Sequence, residues 1–324
     1  MSGRDTGTCT SRTVWKNTSV QKTTNTPDIF GVRYGDIPIS KSRCIHLGCF
    51  QRQSCRLPFL DENQTLSEDA MLEIAKQHRG FVSEVIYCKS HDGIFLTYYS
   101  SEGEVSFCGH GTIACMYTLI KNTPGLFSCS EIPIHTNKKG QLTVYNRIAD
   151  EDAVFISAPN PGYLPTGLKP EDTAAPLDLC DEDLSREFPL EVIDAGLRTL
   201  IVPVKSFQKL VSIYPDEPCL KKFCLQNDID IILIFSLNPA DPENIAHTRV
   251  FAPRFGYLED PATGSGNSAF GYYMLKHGIW DGSSCSLEQG GDDREFNRIK
   301  LRFQDDVLLF GGKATTRIDG VYYY

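Results

Sequence analysis

The 324-residue chain predicts an α+β fold built as two matching halves, and three observations carry that expectation. Short apolar or alternating runs recur like strands, with only a few strongly apolar helical stretches among them. A glycine-rich turn is written twice, once in each half. The length, at about 150 residues per domain, points to two units rather than one.

Composition sets the outer limits. With 41% hydrophobic and 23% charged residues the chain can bury a core, which excludes a wholly disordered protein. Acidic residues outnumber basic ones, 41 to 32, for a formal charge of −9. Without a basic cluster, that balance argues against nucleic-acid and membrane partners. No apolar run reaches the roughly 20 residues of a spanning helix. The 12 cysteines include no C-x-x-C pair, since Cys44 and Cys49, like Cys219 and Cys224, stand too far apart. A zinc ribbon or thioredoxin-like site is therefore not expected. With no apolar leader either, the expectation is a cytoplasmic protein whose cysteines are reduced and mostly buried.

Taken in order, residues 1–26 hold 11 Ser or Thr and read as a polar extension, expected to reach residue 39. Thr65 and Glu68 have capping-box spacing ahead of Met71, Ile74 and Ala75, so a helix is expected there, ending near Gly80. Residues 81–89 and 94–99 read as strands joined by His91-Asp92-Gly93. Further strand-like runs cover 154–156, 199–204, 229–235, 249–252, 307–310 and 321–324. The Pro- and Asp-rich stretch 158–188 reads as a linker. These signals divide the chain into an extension (1–39), a first lobe (40–160, joined by a last strand at about 313–324) and a second lobe (161–312).

The repeat is the main chemical signal. Its copies are Phe107-Cys108-Gly109-His110-Gly111-Thr112-Ile113-Ala114 and Ala262-Thr263-Gly264-Ser265-Gly266-Asn267-Ser268-Ala269. An offset of 155 residues, from Cys108 to Thr263, also pairs Tyr117 with Tyr272. Each copy opens an apolar helix, expected over 112–120 and 267–277, the second closed by His277-Gly278. Glycines admit close backbone approach, and a helix start offers unpaired N–H groups at its positive end. The pair would form two anion-binding cups. If the halves face each other, both cups serve one cleft suited to a carboxylate, or to the charge left when a proton departs from carbon. Plain strand-to-helix turns would carry the same glycines, but the duplication with polar residues between them favours cups. A dinucleotide site is excluded by Ala114 and Ala269 where its third glycine belongs, and no Walker lysine follows either turn.

Glu259-Asp260-Pro261-Ala262-Thr263-Gly264-Ser265-Gly266 resembles the signature of the PhzF-like isomerases of phenazine biosynthesis. Phe107-Cys108-Gly109-His110-Gly111-Thr112 is similar to that family's first-half motif, and Ser83-Glu84-Val85 to its Ser-Glu-Thr segment. Gly311-Gly312-Lys313-Ala314 and Gly320 resemble its C-terminal strand pair, so the likeness covers about residues 43–324. The resemblance implies a diaminopimelate-epimerase-like fold: two pseudo-symmetric lobes, each a curved β-sheet wrapped round a central α-helix, with the site in the cleft between. It further implies a homodimer of secondary metabolism, with no cofactor or metal and a small-molecule substrate as its partner. Glu84 takes the place of the general acid/base, with His110, Asp260 and Ser265 as supporting groups. Cys108, Gly109, Gly111, Thr112, Thr263, Gly264, Gly266 and Asn267 are the implied substrate-binding positions. The family's early Gly-Asn-Pro turn is absent, which points to a substrate other than the phenazine precursor.

The implied chemistry moves a proton between carbons of a small carboxylate- or carbonyl-bearing metabolite. A carboxyl group in a closing apolar cleft suits that task, and Phe81, Val82, Val85 and Ile86 are expected to wall it. Without the resemblance, Glu84 reads as a solvated strand-edge acid, His110 as a hydrogen-bonding core histidine and Asp260 as a turn cap. Two alternatives stay open. Cys108, at a helix start expected to lower its pKa, could serve an epimerase or dehydratase of an amino or imino acid, opposite Thr263. The chain could also be a non-catalytic binding homologue.

Overall fold

The computed structural model describes residues 36–44, 54–60, 65–90, 92–291 and 296–323. The polar segment 1–26, Cys49, His91 and Tyr324 lie outside the described residues.

The strands pair into one continuous ribbon that folds into two lobes. In the first lobe the order runs Ala314–Tyr323, Asp36–Cys44, Ser54–Leu60, Glu84–Lys89, Phe95–Ser100, Glu131–Thr136, Gly140–Arg147, Ala153–Ser157. In the second it runs Val307–Gly312, Asn297–Gln304, Cys285–Gln289, Ala246–Phe251, Ile231–Ser236, Arg198–Pro203, Glu191–Asp194, Gly162–Leu164. The seam is the antiparallel pair Ala153–Ser157 and Val307–Gly312, where Phe310 lies opposite Ile156.

The two lobes follow one plan. Each has two parallel joints, and parallel neighbours need a crossover. In the first lobe these are Ser54–Leu60 with Glu84–Lys89 and Phe95–Ser100 with Glu131–Thr136. Arg198–Pro203 with Ile231–Ser236 and Ala246–Phe251 with Cys285–Gln289 match them in the second. Helices Glu68–Gln77 and Glu217–Gln226 span the first joint of each lobe, and Gly109–Lys121 and Gly264–Lys276 the second. The latter two are the central helices, each of 13 residues and still in step at the offset read from the sequence. They bury Gly111 through Tyr117 and Gly266 through Met274 without a break, because the curved sheets enclose them on most sides.

One strand crosses between the lobes. Gly162–Leu164 opens the second lobe and pairs within it, with Glu191–Asp194. Ala314–Tyr323 follows the second lobe but pairs with Asp36–Cys44 of the first.

Several expected elements shift. The first helix is capped by Ser67, whose hydroxyl accepts from Ala70 N at 3.2 Å, so Glu68 opens the helix and the Thr65 capping box is not made. Strand Asp36–Cys44 begins inside the stretch read as the polar extension. The 158–188 stretch is no free linker. Leu177 and Leu184, spaced among its prolines and acids, are buried in the apolar cluster that holds Leu220 and Val202. Among the described residues no helix is long and apolar enough to cross a membrane.

Candidate active site

The first central helix begins at an N-cap that is a cysteine. Cys108 Sγ accepts the Gly111 N–H at 3.3 Å, using one of the donors a helix start leaves open. A Cβ on Gly111 would lie 2.6 Å from Cγ1 and Cδ1 of Ile86, so glycine is required for the helix to seat on that strand. Strand side chains alternate, so Glu84, two residues before Ile86, faces the same helix start. There His110 Nε2 lies 2.9 Å from Glu84 Oε2, with the two side chains 11% and 22% exposed. The same imidazole comes within 3.5 Å of Cys108 Sγ. Glu84 Oε2 is buried and has no aligned hydrogen bond among the described residues.

The electrostatics follow from this packing. Burial opposes the His110 imidazolium, but the pull of Cys108 and Glu84 outweighs it and holds the ring's pKa well above the ordinary 6.5. For Cys108 burial dominates and the Glu84 charge adds to it, so the thiol is pushed up to about 11 despite His110. The lowered pKa expected from the helix start is therefore overturned: a buried thiolate beside a carboxylate loses more than the helix end returns. Thr112 is committed locally. Its hydroxyl donates to Cys108 O at 2.8 Å and lies 2.8 Å from the Tyr98 hydroxyl.

The apolar wall expected round Glu84 is only partly there. Ile86 stands on its face, whereas Val85 points to the opposite cluster with Ile74 and Tyr87, as alternation requires. Phe81 is exposed.

In the second lobe Asp260 occupies the short strand Glu259–Asp260, opposite Val250. Its Oδ2 accepts the Thr263 hydroxyl at 2.6 Å. Burial raises its pKa above the ordinary carboxylate value, with the Thr263 hydrogen bond and His110 opposing and Glu84 adding to the rise. Gln289, fully buried, fastens this turn: its Oε1 accepts Thr263 N at 3.1 Å and Asn267 Nδ2 at 2.6 Å, while its Nε2 donates to Asp260 O. Asn267 is fully buried, its amide spent on Thr263 O, Gln289 and Thr248. It holds the turn from behind. Buried Arg249 makes a two-pronged pair with Glu259, at 2.9 and 2.8 Å, and donates to the carbonyls of Leu210, Val211 and Ile213. Ser265, matched to His110 by the repeat, is partly exposed in the first helical turn.

The two helix starts meet at Phe310. A Cβ on Gly264 would lie 2.3 Å from its ring and one on Gly109 3.1 Å. Both glycines are thus explained first by packing on one ring at the seam. The adjoining Gly111 and Gly266 seat against Ile86 and Ile231, and two residues before these isoleucines stand Glu84 in one lobe and Ile229 in the other. The duplication is therefore chemically asymmetric, with the Glu84 carboxyl on one side only.

Of the four expected functional groups, Glu84 and His110 are in direct contact, and Asp260 feels the charges of both. Sequence reasoning missed Gln289, Phe310 and Tyr257. Tyr257 is half-exposed, yet burial of its phenol and the nearby Asp260, Glu84 and Cys108 hold its pKa above the ordinary range. Its place three residues before Asp260 was the available signal.

Comparison with known proteins bears on the family and the fold. The model of one protein family, described as phenazine biosynthesis-like protein, matches residues 58–320. A Bacillus subtilis protein named uncharacterized isomerase YfhB is 25% identical over 264 residues, covering 80% of this chain and 87% of its own. The crystal structure of a Bacillus anthracis phenazine biosynthesis protein of the PhzF family superposes with a TM-score of 0.76 at 21% identity, over 89% of this chain and 99% of the other. A hydroxyproline epimerase from Agrobacterium vitis, solved with bound trans-4-hydroxy-L-proline, gives a TM-score of 0.54 at 12% identity, over 90% and 93%. The last two show a shared fold.

Proposed function

The chain belongs to the phenazine biosynthesis-like protein family, whose relatives are named isomerases, and from that premise we propose that it moves a proton between carbons of a small carboxylate- or carbonyl-bearing metabolite, with Glu84 as the general acid/base. The observation that carries the proposal is the buried Glu84 Oε2, 2.9 Å from His110 Nε2. A carboxylate so held beside a basic ring is placed to take up a proton and return it.

In this reaction Glu84 takes a proton from an activated carbon. The C–H bond breaks, an O–H bond forms, and the electron pair enters the conjugated system of the substrate. The same carboxylic acid then protonates a second carbon, so the product is an isomer and Glu84 is restored. His110, whose charged form the Glu84 carboxylate favours, steadies the negative charge as it passes from carboxylate to substrate. The free N–H groups of the two helix starts receive the substrate's anionic oxygens. Asp260, held by Thr263 and Gln289, keeps the second turn in place.

The Cys108-centred alternative has less support. Its thiol is pushed up to about 11, and the opposite Thr263 hydroxyl already donates to Asp260. The test is exchange in heavy water with candidate unsaturated cyclic carboxylic acids. Deuterium should enter carbon with the native protein and not with Glu84→Gln. Exchange that survives Glu84→Gln and dies in Cys108→Ala would transfer the chemistry to the thiol. Ligand binding without any exchange would leave a non-catalytic homologue.

A further inference from the structure

Glu84, Cys108 and His110 offer more than proton transfer, because their donor atoms all lie within 4.8 Å of one another. We infer that they form a three-donor site for a thiophilic divalent cation, Zn²⁺ in the first instance, which binds in place of the proton and silences the carboxyl group. The inference rests on the same placement of Glu84 and His110 as the proposed function.

The three donors stand within reach of one cation. With zinc–sulfur and zinc–nitrogen bonds of roughly 2.3 and 2.0 Å, a tetrahedral site separates the two donors by roughly 3.5 Å. Cys108 Sγ lies 3.5 Å from His110 Nε2 and 3.6 Å from Nδ1, so the separation is right and the ring must turn to aim one nitrogen at an ion on the sulfur. Nitrogen and carboxylate oxygen should stand roughly 3.3 Å apart in such a site. The observed 2.9 Å asks only a small swing of the Glu84 side chain, which is 22% exposed and free to move. The buried Glu84 Oε2 supplies the oxygen donor, and the metal would take the place of the His110 proton that faces it. The Gly111 N–H already donates to the sulfur, the outer support that a metal-bound thiolate needs. Three protein donors would leave the fourth position of a zinc ion to a water or another outside ligand, as in zinc sites that are not purely structural. Binding is a ligand exchange without redox change: the Cys108 S–H and His110 Nε2–H bonds break, metal–sulfur and metal–nitrogen bonds form, and the protons pass to buffer.

The test uses the full chain without substrate and Co²⁺ as probe. Native protein should give a thiolate-to-cobalt charge-transfer band and the intense visible bands of a tetrahedral ion, and Zn²⁺ should displace both. Cys108→Ser should lose the charge-transfer band. Outer-shell partners alone are worth about 10–100-fold in affinity. Removing a ligand in Glu84→Gln or His110→Ala should therefore weaken Co²⁺ binding by about 100-fold or more. Glu84→Gln is nearly isosteric and guards against a folding artefact in the others. Cys219→Ser, removing an exposed thiol beside Asp216, should leave the spectrum unchanged. A band that persists in Cys108→Ser, one lost in Cys219→Ser, or only the weak spectrum of hydrated cobalt would overturn the inference. Failure of the metal site with Glu84-dependent deuterium exchange intact leaves the proton-transfer proposal standing, and a cobalt site without exchange does the reverse.

Discussion

Replacing Gly264 by alanine tests whether Phe310 holds the two helix starts together. The glycine has no left-handed backbone requirement, so alanine is conformationally allowed there. It would even add helix propensity, by up to about 1 kcal/mol. The obstacle is steric: the new Cβ would lie 2.3 Å from Phe310 Cε2, with Cδ2 and Cζ at 2.9 and 3.0 Å. The ring is only 3% exposed and cannot step aside into solvent. Overpacking of this kind costs about 1–3 kcal/mol, which leaves a net loss of up to about 2 kcal/mol after the full propensity gain. The same change at Gly109 meets the ring at 3.1 Å and should be near neutral. Phe310→Leu removes the ring atoms in conflict, so Gly264→Ala should cost less in that background, with a coupling of about 1–2 kcal/mol. Urea unfolding of the four proteins of the cycle measures it. If Gly264→Ala and Gly109→Ala cost the same, or if the cycle is additive, Phe310 is not the shared spacer.

Glu84→Gln should lower isotope exchange by about 10²–10⁴-fold, the usual worth of a positioned acid/base, measured by NMR in heavy water with folding checked by circular dichroism. Because the folded His110 pKa lies above its ordinary 6.5, its contribution to stability is full below that pH and fades as the pH rises through the elevated value. His110→Asn should thus destabilise most at mildly acidic pH and progressively less in alkali, as followed by urea midpoints, and the ring's proton NMR titration should fall toward 6.5 in Glu84→Gln. Gln289→Leu strands the Thr263 N–H and the Asn267 amide in a dry interior and should cost about 2–6 kcal/mol, at about 1–3 for each group left unpaired. Arg249→Leu leaves Glu259 without its partner and should cost about 3–5 kcal/mol in thermal or urea unfolding; a loss below 1 would mean the pair contributes little.

The repeat was the most legible feature of the sequence, because a turn that must pack tightly and start a helix has few spellings. Its two copies gave both central helices to within a few residues and located His110 beside the first. Glu84 was legible only through its likeness to a family segment, since nothing local distinguishes a working carboxylate at the start of a strand from a solvated one. Sheet order was not legible: the pairing of Ala246–Phe251 with Cys285–Gln289, which brings Gln289 to Asp260, joins residues with no shared motif. The role of Phe310 was equally hidden. The sequence displays the glycines, but not the ring that fills the space they leave. The misjudged Cys108 pKa has a general cause. Helix position can be counted along a chain, whereas burial beside a carboxylate depends on contacts with a distant strand.

The return of the last strand to the first lobe bears on how the protein comes off the ribosome. Asp36–Cys44 emerges early, yet one of its edges stays unsatisfied until Ala314–Tyr323 has been synthesised and has left the exit tunnel. Through most of translation that flank is a sticky template for other chains, and cutting the gene between the lobes would leave the first without its closing strand and the second carrying it.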